Sequence, residues 1–469
     1  MAVKHRHPQD LAETLCKRLR KKGQTCPEIE IIEEIFEVLY FTSLETEEAD
    51  SLKLHIIYLD PAKPDPDPPS RIVKDRWSYI KLVNPIPFTV SNAAKIALAL
   101  DPRTSSLAIY PNNRGKLMIW GLIDQVNRFH DFIHYESRVG PDMPGIFQAA
   151  AVNIGHIIAY ISYEKVAELI IDRLLTRSQD VLRHGPIRNL LDPSIEEYIR
   201  TIRNSVGHHA FDGSFHWKSS LEDYWISTLC RILLRTKSFN RGGAYLISPD
   251  PSLKGLRPKY RIRYDRIPKA LINRGIHLIE STIADDQILD FIDYDAEDIP
   301  TDYFLDKLVG ESGLLDLESE IHGSIWFISL LSRVDGLVLL RPDLSVRGFG
   351  VEIRLTDRLE DVFRSTGPMA ASGSLRKVNF DQFGTRHRSM MRYCSHIDNS
   401  VGFVISHDGD VRAISNVDGK TVIWEDIRLQ LVDFIRRKRR GYEKDIVGPQ
   451  LGYSLVKCNS GPSLKSCLS

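Results

Sequence analysis

No cysteine pair in this chain has Cys-x-x-Cys spacing, and six cysteines in 469 residues (Cys16, Cys26, Cys230, Cys394, Cys458, Cys467) are too sparse for a disulfide framework. Free thiols suit a reducing cytosol, so a cytoplasmic protein is expected. An excess of one charge is missing as well: 62 basic residues balance 62 acidic ones. A broad surface held to nucleic acid needs surplus Lys and Arg to displace counterions, which argues against that class. No apolar run approaches the roughly 20 residues that span a bilayer, so neither leader nor anchor is expected. A G-x-x-x-x-G-K-[ST] phosphate loop is absent, as is any repeat of solenoid period. What is present, 42% hydrophobic residues, can fill two or three ordinary cores.

Periodicity divides the chain into four parts, predicting a multidomain fold of the α/β and α+β classes. Residues 1–177 read as an α+β region. It opens with helical spacing from Pro8 to Tyr40, broken at Lys21-Lys22-Gly23, and continues with strands at Leu52–Leu59, Tyr79–Val83, Leu107–Tyr110 and Leu117–Ile123. Ala93–Leu100 fits a helix, Gly145–Ile161 is apolar, and Glu164–Leu175 reads as helical. Residues 178–240 form a helical connector interrupted at Gly207–Gly213. Residues 241–440 read as an α/β domain. Its expected strands are Gly242–Ile247, Gly336–Leu340, Val346–Ile353, Val401–Ile405 and Val411–Ser415, with a basic loop at Lys254–Arg266, an amphipathic segment at Leu314–Leu331 and a helix at Gly384–Tyr393. The tail, 441–469, is expected to be loosely ordered.

A phosphate site without a Walker loop needs three things: small residues that admit the anion to backbone amides, cations, and a carboxylate for a metal or a hydroxyl. The 241–440 domain supplies each. Gly384-Thr385 opens a predicted helix whose orphan amides and dipole favour negative charge, and Arg386-His387-Arg388 follows within one turn. Asp335-Gly336-Leu337 sets a carboxylate before a strand. Taken singly, an Arg-His-Arg run is a solvated helix face and Asp-Gly is a turn; their order is what points to phosphate.

That order resembles the diadenylate cyclase (DAC) family over about Arg241 to Leu431. Asp335-Gly336-Leu337 matches its Asp-Gly-Ala step, Gly384-Thr385-Arg386-His387-Arg388 its complete basic motif, Gly242-Gly243-Ala244 its glycine-led strand, and Val404 to Val411 its following strand and turn. Gly348-Phe349-Gly350, Ser406-His407-Asp408-Gly409-Asp410, Trp424 and Ile119-Trp120-Gly121-Leu122 are similar to the DACNV type, described as probable sensors.

The resemblance implies a mixed sheet flanked by helices that binds ATP or a related nucleotide. Two copies would meet face to face and condense two ATP into cyclic di-AMP, so self-association is implied. It implies a catalytic set of Asp335, Gly336, Arg386, His387 and Arg388; nucleotide contacts from Gly243, Leu337, Gly384, Thr385 and Ser406; and Mg²⁺ or Mn²⁺ at Asp335, His407 and Asp408. The 1–177 region would then be the sensor. Three departures favour binding over cyclisation: His407 stands where the family has a carboxylate, Ser389-Met390-Met391 replaces small alanines, and Leu355–Phe383 is a long insertion. Two other readings compete: a nucleotide sensor without catalysis, and a ribonuclease of the HEPN type at Arg203-Asn204-Ser205-Val206-Gly207-His208, a short R-x-x-x-x-H pattern.

Overall fold

The computed structural model describes residues 5–47, 50–63, 77–102, 104–124, 145–161, 164–176, 179–212, 217–239, 241–250, 252–293, 301–406 and 410–429. The expected loose tail, 441–469, lies outside the described residues.

Two helices start the chain. In α1 (Pro8–Lys21) proline takes a first-turn position, where no N–H is needed, and Asp10 accepts from the His7 amide at 2.9 Å. Gly23 (φ +66°) follows its end, so the Lys21-Lys22-Gly23 break falls where expected. Leu11, Leu15 and Leu19 of α1 and Ile32, Phe36 and Leu39 of α2 (Ile29–Leu44) form buried stripes. They cover one face of an eight-stranded sheet.

Its strands in chain order are β3 (Leu54–Tyr58), β4 (Ser78–Pro87), β5 (Ser105–Pro111), β6 (Leu117–Asp124), β7 (Phe147–Asn153), β8 (His156–Ile161), β9 (Glu164–Ile170) and β10 (Arg173–Leu175), after a small hairpin, β1 (Thr46–Glu47) and β2 (Asp50–Ser51). The spatial order is β10-β9-β8-β7-β3-β5-β6-β4, with only β3 and β5 parallel. Helix α3 (Val90–Ala97) starts at Thr89, whose hydroxyl accepts from the Asn92 amide.

Glu164–Leu175 is not helical but forms the β9–β10 hairpin, turning at Ile171 with φ +57°. Val166, Ala167, Glu168 and Leu169 are all buried, so the segment lacks the period-2 polarity that marks a half-exposed strand.

Four longer helices and one short turn follow: α4 (Pro186–Val206), α5 (His208–Phe211), α6 (Trp217–Lys237), α7 (Arg266–Asp293) and α8 (Thr301–Leu331). Their apolar sides, including Ile195, Leu229, Ile267 and Ile325, share a core with Tyr245, Val338, Leu340 and Phe403 on one face of a nine-stranded sheet. That sheet comprises β11 (Gly243–Ile247), β12 (Leu256–Tyr264), β13 (Leu337–Leu340), β14 (Val346–Ile353), β15 (Val362–Ser365), β16 (Leu375–Lys377), β17 (Val401–Ile405), β18 (Val411–Val417) and β19 (Lys420–Trp424), in the order β12-β14-β13-β11-β17-β18-β19-β15-β16. Helix α9 (Thr385–His396) packs on the opposite face, against Ala244, Leu246, Leu337, Leu339 and Val404.

The basic segment expected as a loop is therefore edge strand β12. Leu256, Pro258, Tyr260, Ile262 and Tyr264 alternate strictly with Arg257, Lys259, Arg261 and Arg263, a period of two that its charge obscures. The insertion Leu355–Phe383 supplies β15 and β16, which extend the sheet beyond β19. The whole is an α/β and α+β multidomain fold with two mixed sheets. Among the described residues no helix is long and apolar enough to cross a membrane.

Candidate functional site

Strand β11 lies between β13 and β17. Its register, Tyr245 with Val338 and Gly243 with Ile405, brings the start of β11, the Asp335-Gly336 approach to β13 and the end of β17 to one end of the sheet. Extending that register sets Asp335 and Ser406 either side of Gly242, roughly 10 Å apart at the usual strand spacing. Helix α9 begins at the same end. Gly384 caps it with extended backbone (φ −66°, ψ 165°) and no side-chain cap, and Gly384, Thr385 and Arg386 are exposed.

Arg386 is brought directly onto the sheet. A Cβ at Gly242 would lie 2.5 Å from its Nη1 and 3.2 Å from the Ile405 carbonyl oxygen, so the guanidinium lies where residue 242 has no side chain. The sequence pointed to Gly243 instead. That glycine is buried on the other face, where a Cβ would meet Thr236 at 2.7 Å and Ser332 at 3.3 Å, so its role is packing. Alternation along β11 decides between the two: Ala244, and hence Gly242, faces α9, whereas Tyr245, and hence Gly243, faces the helical layer.

The remaining predicted residues separate by environment. The Asp335 carboxylate is 91% exposed, 3.8 Å from Lys259 Nζ, which also lies 3.6 Å from Glu352. Gly336 (φ +117°) is required by packing, since a Cβ there would meet the Gly350 backbone at 2.5 Å. Leu337 is buried beneath α9. The Ser406 amide and hydroxyl both donate to the Asp410 carbonyl, at 2.9 and 3.2 Å. Arg388 is half-buried, and its Nε is buried with no hydrogen-bond partner. His407 and Asp408 lie outside the described residues, among which no group of three or more metal-ligating side chains assembles.

His387 turns inward, buried beside Phe383, and its Nε2 accepts from Arg412 Nη1 at 3.3 Å; a guanidinium can only donate. From Arg412 a continuous polar chain crosses to the other sheet. Arg412 Nε donates to Asp410 at 2.7 Å and lies 3.6 Å from Glu425, which pairs with Arg364 of β15. Asp410 Oδ1 accepts from the Asp426 amide at 3.3 Å, and the Asp426 carboxylate is 3.4 Å from Lys165 Nζ. Lys165 meets Glu168 at 2.5 Å, and Glu168 meets His156 at 2.9 Å. Backbone contacts between Gln179 and Asp426 and between Arg428 and Gln179 brace the same junction.

Burial pushes the Asp426 carboxyl up, to about 6, despite the opposing Lys165 charge. Burial opposes charge on Lys165 and Glu168 too, but their attraction outweighs it: the ammonium is held above its usual range and the carboxyl well below. Of Lys165, Glu168, Asp410, Arg412, Glu425 and Asp426, only Asp410 lies in a stretch that the sequence singles out. They come from four elements or loops, and only the tertiary fold unites them.

Of the HEPN-type pair, Arg203 and His208 both lie beside the Asp212 carboxylate. Gly207 (φ +86°) ends α4 between Arg203 and His208, Arg203 is ion-paired to Asp212, and His208 is an exposed residue 3.9 Å from the same carboxylate.

Residues 21–124 match the model of a family described as the probable sensor domain DACNV. The match runs from the end of α1 through β6, contains the Ile119-Trp120-Gly121-Leu122 stretch and thus falls on the eight-stranded sheet. No curated protein matches the chain.

Proposed function

We propose that the chain is a nucleotide-responsive sensor. The end of its nine-stranded sheet takes the polyphosphate of ATP or a related nucleotide, and the polar chain through Arg412, Asp410, Asp426 and Lys165 couples that site to the sheet carrying the DACNV match. The carrying observation is the seat of Arg386 on Gly242 beside the uncapped amides of α9: an exposed cation, a helix N-terminus and a stretch of backbone bare of side chain converge at one point. Arg388 and Thr385 complete the phosphate contacts. His387 serves as a positioning residue, because its Nε2 is engaged by Arg412.

Asp335 suits Mg²⁺ or Mn²⁺: a hard, exposed carboxylate level with Gly242, with phosphate oxygens as the remaining ligands. The ion would offset phosphate charge. Isothermal titration with MgATP tests the site, and Arg386→Ala is expected to weaken binding at least tenfold; unchanged binding would sink the reading. Diadenylate cyclisation is the second reading, favoured by Asp335 standing level with Gly242. It predicts cyclic di-AMP from ATP and Mn²⁺ at high protein concentration, lost in Asp335→Asn.

A further inference from the structure

Helix α8 is apolar on two opposite sides. Its inner side meets α7, where Gly310 lies against Ser281 and Gly313 against His277, and continues through Ile321, Ile325 and Ile328 into the core. A helix packed on one side normally turns charge to the water on the other. Helical spacing puts Phe304, Leu305, Leu308, Val309 and Leu315 there instead, and Leu308, Val309 and Leu315 are 61%, 68% and 70% exposed. The same row reaches Trp326 and Phe327, which stay exposed although Arg235 lies over the one ring and Tyr264 beside the other. At 1.5 Å per residue the row is about 35 Å long. Single exposed apolar residues are ordinary, whereas a continuous row marks a surface that another molecule covers.

Charge restricts what that molecule is. The chain is neutral as a whole, yet Glu280 to Glu320 holds fourteen acidic residues and one basic, Lys307. On α8 the acids edge the apolar row, Glu311 along one side and Asp302 and Asp316 along the other. Two copies joined through this face would press like charges together, and an anionic lipid surface would be repelled. A helix with apolar residues at i, i+3, i+4 and i+7 and Lys or Arg beside them answers both features. Its own apolar row is buried on that of α8, and its cations meet the acidic edges as flanking residues do in a coiled coil.

We propose that the outer face of α8 is a docking surface for a cationic amphipathic helix of a partner protein. The proposal does not depend on the nucleotide site at Arg386.

The test uses the full chain and two synthetic helices of about 21 residues, roughly 30 Å long. Both carry the same leucine row, one with lysine and the other with glutamate at the remaining positions. Binding is read by fluorescence anisotropy of the labelled peptides and by the emission of Trp326. The lysine peptide is expected to bind and shift the emission to the blue, a shift missing in Trp326→Phe; the glutamate peptide should not bind. Leu308→Ser with Leu315→Ser should weaken binding tenfold or more, and so should Asp302→Lys with Asp316→Lys. All four positions are exposed, so Tm should be nearly unchanged, and if one pair is misfolded the other carries the comparison. MgATP binding should be the same in both pairs as in the wild type, which separates failure of this proposal from failure of the nucleotide reading. The proposal is overturned if the lysine peptide binds no tighter than the glutamate peptide, or if its binding survives both pairs. It is also overturned if the wild type instead dimerises, or sediments with phosphatidylcholine vesicles, in a manner lost in Leu308→Ser with Leu315→Ser.

Discussion

Two glycines in one dipeptide have different work. Gly242→Ala would set a methyl 2.5 Å from Arg386 Nη1, the far end of a flexible side chain, so the fold should persist while the guanidinium moves. We expect MgATP affinity to fall about tenfold, roughly 1.4 kcal/mol, with Tm nearly unchanged. Gly336 is the contrast. At φ +117°, with the Gly350 backbone 2.5 Å from any Cβ, Gly336→Ala should cost roughly 2 kcal/mol or more and lower Tm by several degrees. Only alternation of faces along β11 tells Gly242 from Gly243, and alternation is lost on a residue type with no polarity of its own. That is why the sequence singles out Gly243 and leaves Gly242 unmarked.

At the scale of elements, helix α9 is seated by a complementarity that the sequence presented as a departure. Met390, where alanine was expected, packs into the space that Gly402 of β17 leaves empty, and a Cβ at 402 would collide with it. Gly402→Ala should therefore displace α9, costing about 1–3 kcal/mol by overpacking and weakening MgATP binding together with stability. Reading Met390 and Gly402 as a pair requires knowing that α9 lies across β17. Strand β12 is the reverse case: its period of two is present in the sequence, but its charge density is that of a loop. Glu164–Leu175 failed for want of polarity, since burial on both faces removes the alternation that identifies a strand.

For the molecule as a whole, the junction between the sheets makes pH behaviour composite. Burial lowers His55 to about 4, so the unfolded chain binds the extra proton and His55's contribution is lost as pH falls from about 6.5 to 4. Asp426, raised to about 6, acts oppositely: the folded chain binds the extra proton, and stability from this group grows as pH falls from about 6 to 4. The two slopes oppose each other in one window. Asp426→Asn should expose the His55 loss and steepen the fall of Tm on acidification, whereas His55→Gln should flatten or reverse it. Thermal melts from pH 4 to 7 decide this, and identical profiles for the two variants would refute it. Coupling has its own readout: amide exchange in β9 should slow on adding MgATP to the wild type and not in Asp426→Asn, where the carboxylate facing Lys165 is gone.

By itself the sequence determined the helical stripes of α1 and α2, most strands, the breaks at Gly23 and Gly207, and the order of Asp335-Gly336 and Gly384 to Arg388, because periodicity and turn chemistry act over a few residues and are written locally. The tertiary structure alone decided that Arg386 lies on Gly242, that His387 faces Arg412, that Gln148 is buried unpaired, and that Lys165 and Asp426 meet across 261 positions of chain. Such pairings depend on sheet order, face and register, which bring distant residues within ångströms without leaving a spacing in the sequence to reveal them.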